Sequence, residues 1–177
     1  MVLGILGKDS KGIFIGTKKE VFMFARNIMD KKFHSLGPGQ SITDAVRMFK
    51  SAGIVENKKI FGMMVMDSKD RLVGMISMYD ILLFIQPKHI RILGEMEDLP
   101  AEPLFEGVLN RINNVRVEDL MTTDLIIVGP ETHLIMVMDI MIQKHIRRLP
   151  VVEKNKVIGI VYRSDLFYHF LETMVGE

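Results

Sequence analysis

Apolar positions along this chain follow two alternating periods. Ile42, Ala45, Val46, Phe49 and Ala52 recur at steps of three and four and fall on one face of a helix. Ser41 precedes them as a helix N-cap, and Asp44 gives a capping-box-like start. Residues 60–66 and 71–77 are short apolar runs separated by Ser68-Lys69-Asp70, which predicts two strands and a turn. From Met78 the helical period returns, with Ile81, Leu82 and Ile85, until Pro87. The same order then recurs. Residues 126–128 read as a strand, and 134–142 as a helix with Met138 and Met141 inward. Residues 149–152 and 157–161 read as strands around the turn Lys154-Asn155-Lys156, and 164–171 as a closing helix. The run 157–161 is apolar throughout, so both faces of its sheet should be covered. Ahead of the first set, 19–29 reads as a helix and 33–36 as a strand broken by Gly37-Pro38-Gly39.

The chain is therefore a duplication. Leu36-Gly37-Pro38 returns as Val128-Gly129-Pro130, and Ile28-Met29 as Leu120-Met121. Each copy ends on a glycine followed six residues later by an aspartate, Gly74 with Asp80 and Gly159 with Asp165. Residues 54–59 are an insertion that the second copy lacks. The predicted fold class is α/β (α+β), with tandem β-α-β-β-α repeats packed around a pseudo-two-fold axis and clefts between them. The expected organisation is an N-terminal arm or hairpin over 1–18, a first repeat over 19–87 and a linker with a helix near 104–112 over 88–116. A second repeat over 117–172 and a tail over 173–177 complete it.

Composition narrows the chemistry. With 177 residues, 48% of them hydrophobic, the chain can bury a substantial core. A net charge of +1 gives no basic surplus for general nucleic-acid binding. The absence of cysteine excludes disulfides, thiolate metal sites and cysteine nucleophiles, and fits a reducing, cytoplasmic setting. No apolar run has the roughly 18 residues of a membrane helix. The five histidines show no metal-ligand spacing, so no metal is predicted. Gly4, Gly7-Lys8 and Gly12 lack the spacing of a phosphate-binding loop. The 15 methionines read as adaptable core filler or as a binding surface.

The second copy carries Leu120-Met121-Thr122, Val128-x-Pro130, Ile146-Arg147-Arg148-Leu149-Pro150-Val151-Val152 and Gly159-Ile160-Val161-x-x-x-Asp165-Leu166. The first carries Ile28-Met29, Pro38, Val65 and Gly74-Met75-Ile76-Ser77-x-x-Asp80-Ile81, with Met63-Met64 in place of leucine-proline. Together these resemble the cystathionine-beta-synthase (CBS) domain pair, or Bateman module, over residues 20–172. The resemblance implies a non-catalytic regulatory module that binds an adenosyl nucleotide (AMP, ADP, ATP or S-adenosylmethionine). Its modules pair as homodimers, here through the closing helices (Ile81, Leu82, Leu83, Phe84; Leu166, Phe167, Phe170, Leu171). With no attached effector in view, the output is expected to lie in a separate effector protein, in the N-terminal arm or in the exposed linker.

The residues agree with that expectation on physical grounds. Asp80 and Asp165 stand at helix starts, where the dipole and free amides favour a carboxylate. Each either caps its helix or accepts bonds from ribose hydroxyls. Ser77 is the small hydroxyl expected three residues before the acid, whereas the second copy has the bulkier Tyr162. Tyr162 either stacks on a base or fills its own cleft. Arg147 and Arg148 suit phosphate oxygens, unless one is exposed and the other paired with a linker acid. Their counterparts Phe61 and Gly62 are uncharged, so the clefts are unequal. The favoured site joins Ser77 and Asp80 with Ile126 and Ile146 against the base and Arg147 or Arg148 near phosphate. Met121 is counted with them, and the Asp165 cleft, with Tyr162 and His34, is expected to be weak, empty or differently selective. The competing reading is a ligand-free scaffold for dimerisation or protein interaction.

Overall fold

The computed structural model describes residues 23–86, 107 and 111–175. The expected arm over 1–18, the start of the predicted 19–29 helix, most of the linker and the last two residues lie outside the described residues. The elements run α1 (Ala25–Ile28), β1 (Ser35–Leu36), α2 (Ile42–Glu56), β2 (Gly62–Met66), β3 (Leu72–Ser77), α3 (Met78–Ile85), α4 (Val117–Leu120), α5 (Leu134–Gln143), β4 (Arg148–Glu153), β5 (Lys156–Tyr162) and α6 (Arg163–Val175). β1 pairs parallel with β2, which pairs antiparallel with β3. β4 and β5 form the matching antiparallel pair, with a bulge between Val151 and Val152 where β2 has one between Val65 and Met66. The β4–β5 turn places Lys154 and Asn155 at φ 48° and 63°, the doubly left-handed turn that matches strand twist.

Several expectations change. The strand predicted over 126–128 is a single parallel bridge from Val128 to Val151. The strand over 33–36 contracts to Ser35–Leu36. The described part of the 19–29 helix is one turn, Ala25–Ile28. The two strand segments run in extended form, and Val128 and His34 bond through their backbones to β4 and β2 rather than to their own neighbours. Val46 leaves the predicted core face and is exposed, because Ile42, Ala45, Phe49 and Ala52 alone form the buried stripe. The N-cap of α2 is as read: Ser41 Oγ accepts from the Asp44 N–H at 3.0 Å. The insertion 54–59 prolongs α2 to 15 residues, against 10 in α5.

The two half-domains exchange their leading segments. Val117, with Leu120 and Met121, packs into the core of Leu36, Ile42, Phe49, Met63, Val65 and Ile76. Ala25, with Ile28 and Met29, packs into the core of Leu134, Val137, Met141, Leu149, Val151 and Val161. Backbone bonds repeat the exchange. Thr122 and Met75 trade N–H···O bonds of 2.8 and 3.0 Å, and Asp30 and Ile160 trade bonds of 2.8 and 2.9 Å. Gly74 and Gly159 make this approach possible. A Cβ at Gly159 would lie 2.8 Å from Met29 Sδ and 3.0 Å from the Asp30 carbonyl, and one at Gly74 would meet Met121 and the Thr122 carbonyl in the same way. The packed cores thus cross the boundaries of the sequence repeats.

Gly159→Ala is expected to destabilise the chain by about 1–3 kcal/mol, the usual cost of overpacking. Met29→Ala in the same chain removes the clash with the thioether but not that with the carbonyl. Urea denaturation should therefore show the two substitutions to be non-additive.

Candidate ligand site

β3 delivers Ser77 to the start of α3, and the first turn of that helix presents Asp80. The two close a capping box. Ser77 Oγ accepts from the Asp80 N–H at 3.3 Å, and Asp80 Oδ2 accepts from the Ser77 N–H at 2.7 Å and its hydroxyl at 2.6 Å. The structural role considered for Asp80 is therefore real, and it uses one carboxylate oxygen. The other, Oδ1, takes no part in the box.

These residues line a cavity of about 450 Å³ between the half-domains. The opposite wall comes from the second repeat, with Ile126, Ile146, Arg147, Arg148 and Pro150. Six of the candidates are thus brought together: Ser77, Asp80, Ile126, Ile146, Arg147 and Arg148. The cavity is also lined by Met75, Tyr79, Thr122, Asp124, Leu125 and His145, which the sequence reading did not single out as site residues, and by Phe61, which it noted only as the uncharged counterpart of Arg147. For Thr122 a signal existed in the Leu120-Met121-Thr122 motif. Tyr79 and Asp124 carry no pattern that separates them from surface residues.

Arg147 is exposed and Arg148 half-buried. Among the described residues neither guanidinium is in an ion pair. Burial pushes the Arg148 pKa down; the Tyr162 phenol opposes this, Arg147 adds to it, and the Asp80 charge opposes it. Arg148 owes its position to Gly62, where a Cβ would stand 2.6 Å from its Nη1 and 2.8 Å from its Cζ.

The remaining candidates lie elsewhere. Met121 does not line the cavity; its thioether covers Gly74 in the core. Its place in the motif reflects packing. Tyr162, Asp165 and His34 lie outside that cavity, on the side where the repeat predicts a second cleft. Tyr162 is half-buried; burial pushes its phenol up, and Asp30, Lys58, Arg148 and Asp165 act on it electrostatically. Asp165 Oδ1 accepts from the Ser164 hydroxyl at 3.1 Å. His34 Nε2 contacts Glu56 Oε1, and Lys58 Nζ lies 2.7 Å from Glu56 Oε2 and 3.2 Å from Asp30 Oδ2. Hydrogen bonds from Lys58 first and His34 second hold the Glu56 carboxyl below the usual glutamate value. Among the described residues, no group of three or more His, Asp or Glu is placed to hold a metal, and no helix is long and apolar enough to cross a membrane.

Comparison with known proteins agrees with this architecture. The CBS domain profile matches residues 25–87 and 117–172. An uncharacterized protein of Methanocaldococcus jannaschii is 29% identical over 157 residues, covering 81% of this chain and 89% of that protein. The chain spans 42% of a second protein from that organism. CBSX2 of Arabidopsis thaliana, whose structure was solved in complex with AMP, is 25% identical with a TM-score of 0.63, covering 85% of this chain and 97% of that one. The CBS-domain protein ATU1752 of Agrobacterium tumefaciens has the same fold at a TM-score of 0.65 and 16% identity, over 86% of this chain and 96% of that one. The chain belongs to the CBS-domain family and carries the domain twice, as a pair.

Proposed function

We propose that the chain is a non-catalytic regulatory module that binds an adenosyl nucleotide in the Asp80 cavity and passes its bound state to a separate protein. One observation carries this reading: a single cavity joins the Asp80 carboxylate of one repeat to Arg147 and Arg148 of the other. Its volume, about 450 Å³, falls in the range of small-ligand pockets. Ile126, Ile146 and Pro150 offer apolar surface to a base. Asp80 Oδ1 is left by the capping box to accept from a ribose hydroxyl. The two guanidinium groups supply charge-assisted donors for phosphate. AMP is the first ligand to test, since a relative of the same fold was solved with it. A nucleotide that touches both half-domains favours one arrangement of the pair, and its differential affinity sets how far the equilibrium moves.

The scaffold reading draws on the same capping box, which gives Ser77 and Asp80 a purely structural use. Calorimetric titration with AMP, ADP, ATP and S-adenosylmethionine separates the two. Asp80→Asn retains an oxygen acceptor for the cap but removes the charge. It should leave the melting temperature nearly unchanged and weaken AMP by about tenfold or more, the cost of losing a hydrogen bond to a charged group. Gly62→Ala should displace the Arg148 guanidinium, weakening AMP while leaving adenosine unaffected. A wild-type chain that takes up none of the four ligands leaves the scaffold standing.

The closing helices support homodimer formation as well. Leu82, Leu83, Phe167, Tyr168 and Leu171 are all exposed on α3 and α6. Sedimentation should show a dimer, and Phe167→Glu should shift it to monomer.

A further inference from the structure

The insertion of the first repeat ends beside the second cleft. α2 continues to Glu56, and Asn57 in the left-handed region (φ 48°) turns the chain so that Lys58 meets Asp30. Lys58 bridges the carboxylates of Glu56 and Asp30, and His34 holds Glu56 from its other oxygen. The ends of this bridge are anchored on different sheets. Asp30 exchanges backbone bonds with Ile160 of β5, whereas the His34 carbonyl accepts from the Met64 N–H of β2 at 3.1 Å.

The bridge stands where a ligand would. By the internal repeat, Asp30 corresponds to Thr122 and His34 to Ile126, both of which line the open cavity. Tyr162 corresponds to Ser77, and its phenol lies within the field of Asp30, Lys58, Arg148 and Asp165. A nucleotide here would meet a tyrosine ring in place of a small hydroxyl. Its phosphate would face the carboxylates of Asp30 and Glu56.

The geometry points to a cleft closed from within: the extension over residues 54–59 sets Glu56 and Lys58 against Asp30 and His34, excludes nucleotide from the Asp165 cleft, and clamps the half-domains together on that side. Each chain then takes one ligand, and relative motion of the half-domains opens and closes only the Asp80 cavity. The ligand count rests on the nucleotide reading given above; the clamp does not. Half-exposed ion pairs contribute little stability, so what the bridge supplies is geometry.

Two measurements on the full chain test it. The Asp30 and Ile160 amides report on the clamped side, and the Met75 and Thr122 amides on the open side. In Lys58→Met and in Asp30→Asn, hydrogen exchange at Asp30 and Ile160 should rise about two- to five-fold, as expected for a lost surface pair. Exchange at Met75 and Thr122 should not change. Unchanged protection at Asp30 and Ile160, or an equal rise on both sides, overturns the clamp. Titration of AMP into the wild-type chain should give one site per chain, weakened about tenfold or more in Asp80→Asn and unchanged in Asp165→Asn. Two equivalent sites, or loss in Asp165→Asn, overturns the exclusion. Uptake of none of AMP, ADP, ATP and S-adenosylmethionine refutes the nucleotide reading, and the exchange rates alone then decide the clamp.

Discussion

Each half-domain is completed by a segment that belongs to the other repeat. A two-stranded sheet is marginal alone in water, and a three-stranded one needs its apolar face covered; here neither stands alone. Met29 covers Gly159 and Met121 covers Gly74, while paired backbone bonds stitch Asp30 to Ile160 and Thr122 to Met75. Pulling the repeats apart would strip Val117 from one core and Ala25 from the other, though both are fully buried. The folding unit is the pair, and the clefts exist because the exchange holds two similar surfaces at a set distance.

The same symmetry explains why the clefts differ. Gly62 and Arg148 occupy equivalent positions of the two repeats and touch each other, which places them at the pseudo-two-fold axis. Two arginines would crowd and repel there. A glycine on one side leaves room for a guanidinium on the other, and Arg148 there lines the Asp80 cavity with Arg147 while also lying within the field of Tyr162. On the opposite side the insertion supplies Lys58 and Glu56, and the charges that remain satisfy one another. Duplication makes two similar clefts, and a few substitutions together with one short insertion make them unlike.

Much of this was legible along the chain. The cap of α2 at Ser41 and the hairpins of β2–β3 and β4–β5 follow from local rules, because turn residues and apolar runs act within a few positions. The six residues that meet in the cavity were also readable, since a motif repeated in two copies marks what each copy presents to the other. The role of Met121 was not: a residue beside a binding motif and a residue filling a glycine hollow look the same in sequence. Nor could the pattern show that 126–128 runs extended with a single bridge, since its apolar residues are those of a strand. Val46 illustrates the converse, an apolar side chain one step outside the stripe that the core accepts.

Glu56, Lys58 and Asp30 escaped notice altogether, because charged residues in an insertion and a loop resemble any solvated surface. Their meeting depends on where the prolonged helix ends and on a left-handed Asn57. By itself, then, the sequence determined the duplication, the order of elements, the helix-capping carboxylates and the arginines present in one copy alone, all of which depend on near neighbours. The tertiary structure decided which repeat completes which core, that Asp80 faces Arg147 and Arg148 across an open cavity, and that Lys58 joins Glu56 to Asp30. Those outcomes depend on contacts between residues far apart in the chain, whose distances no local pattern encodes.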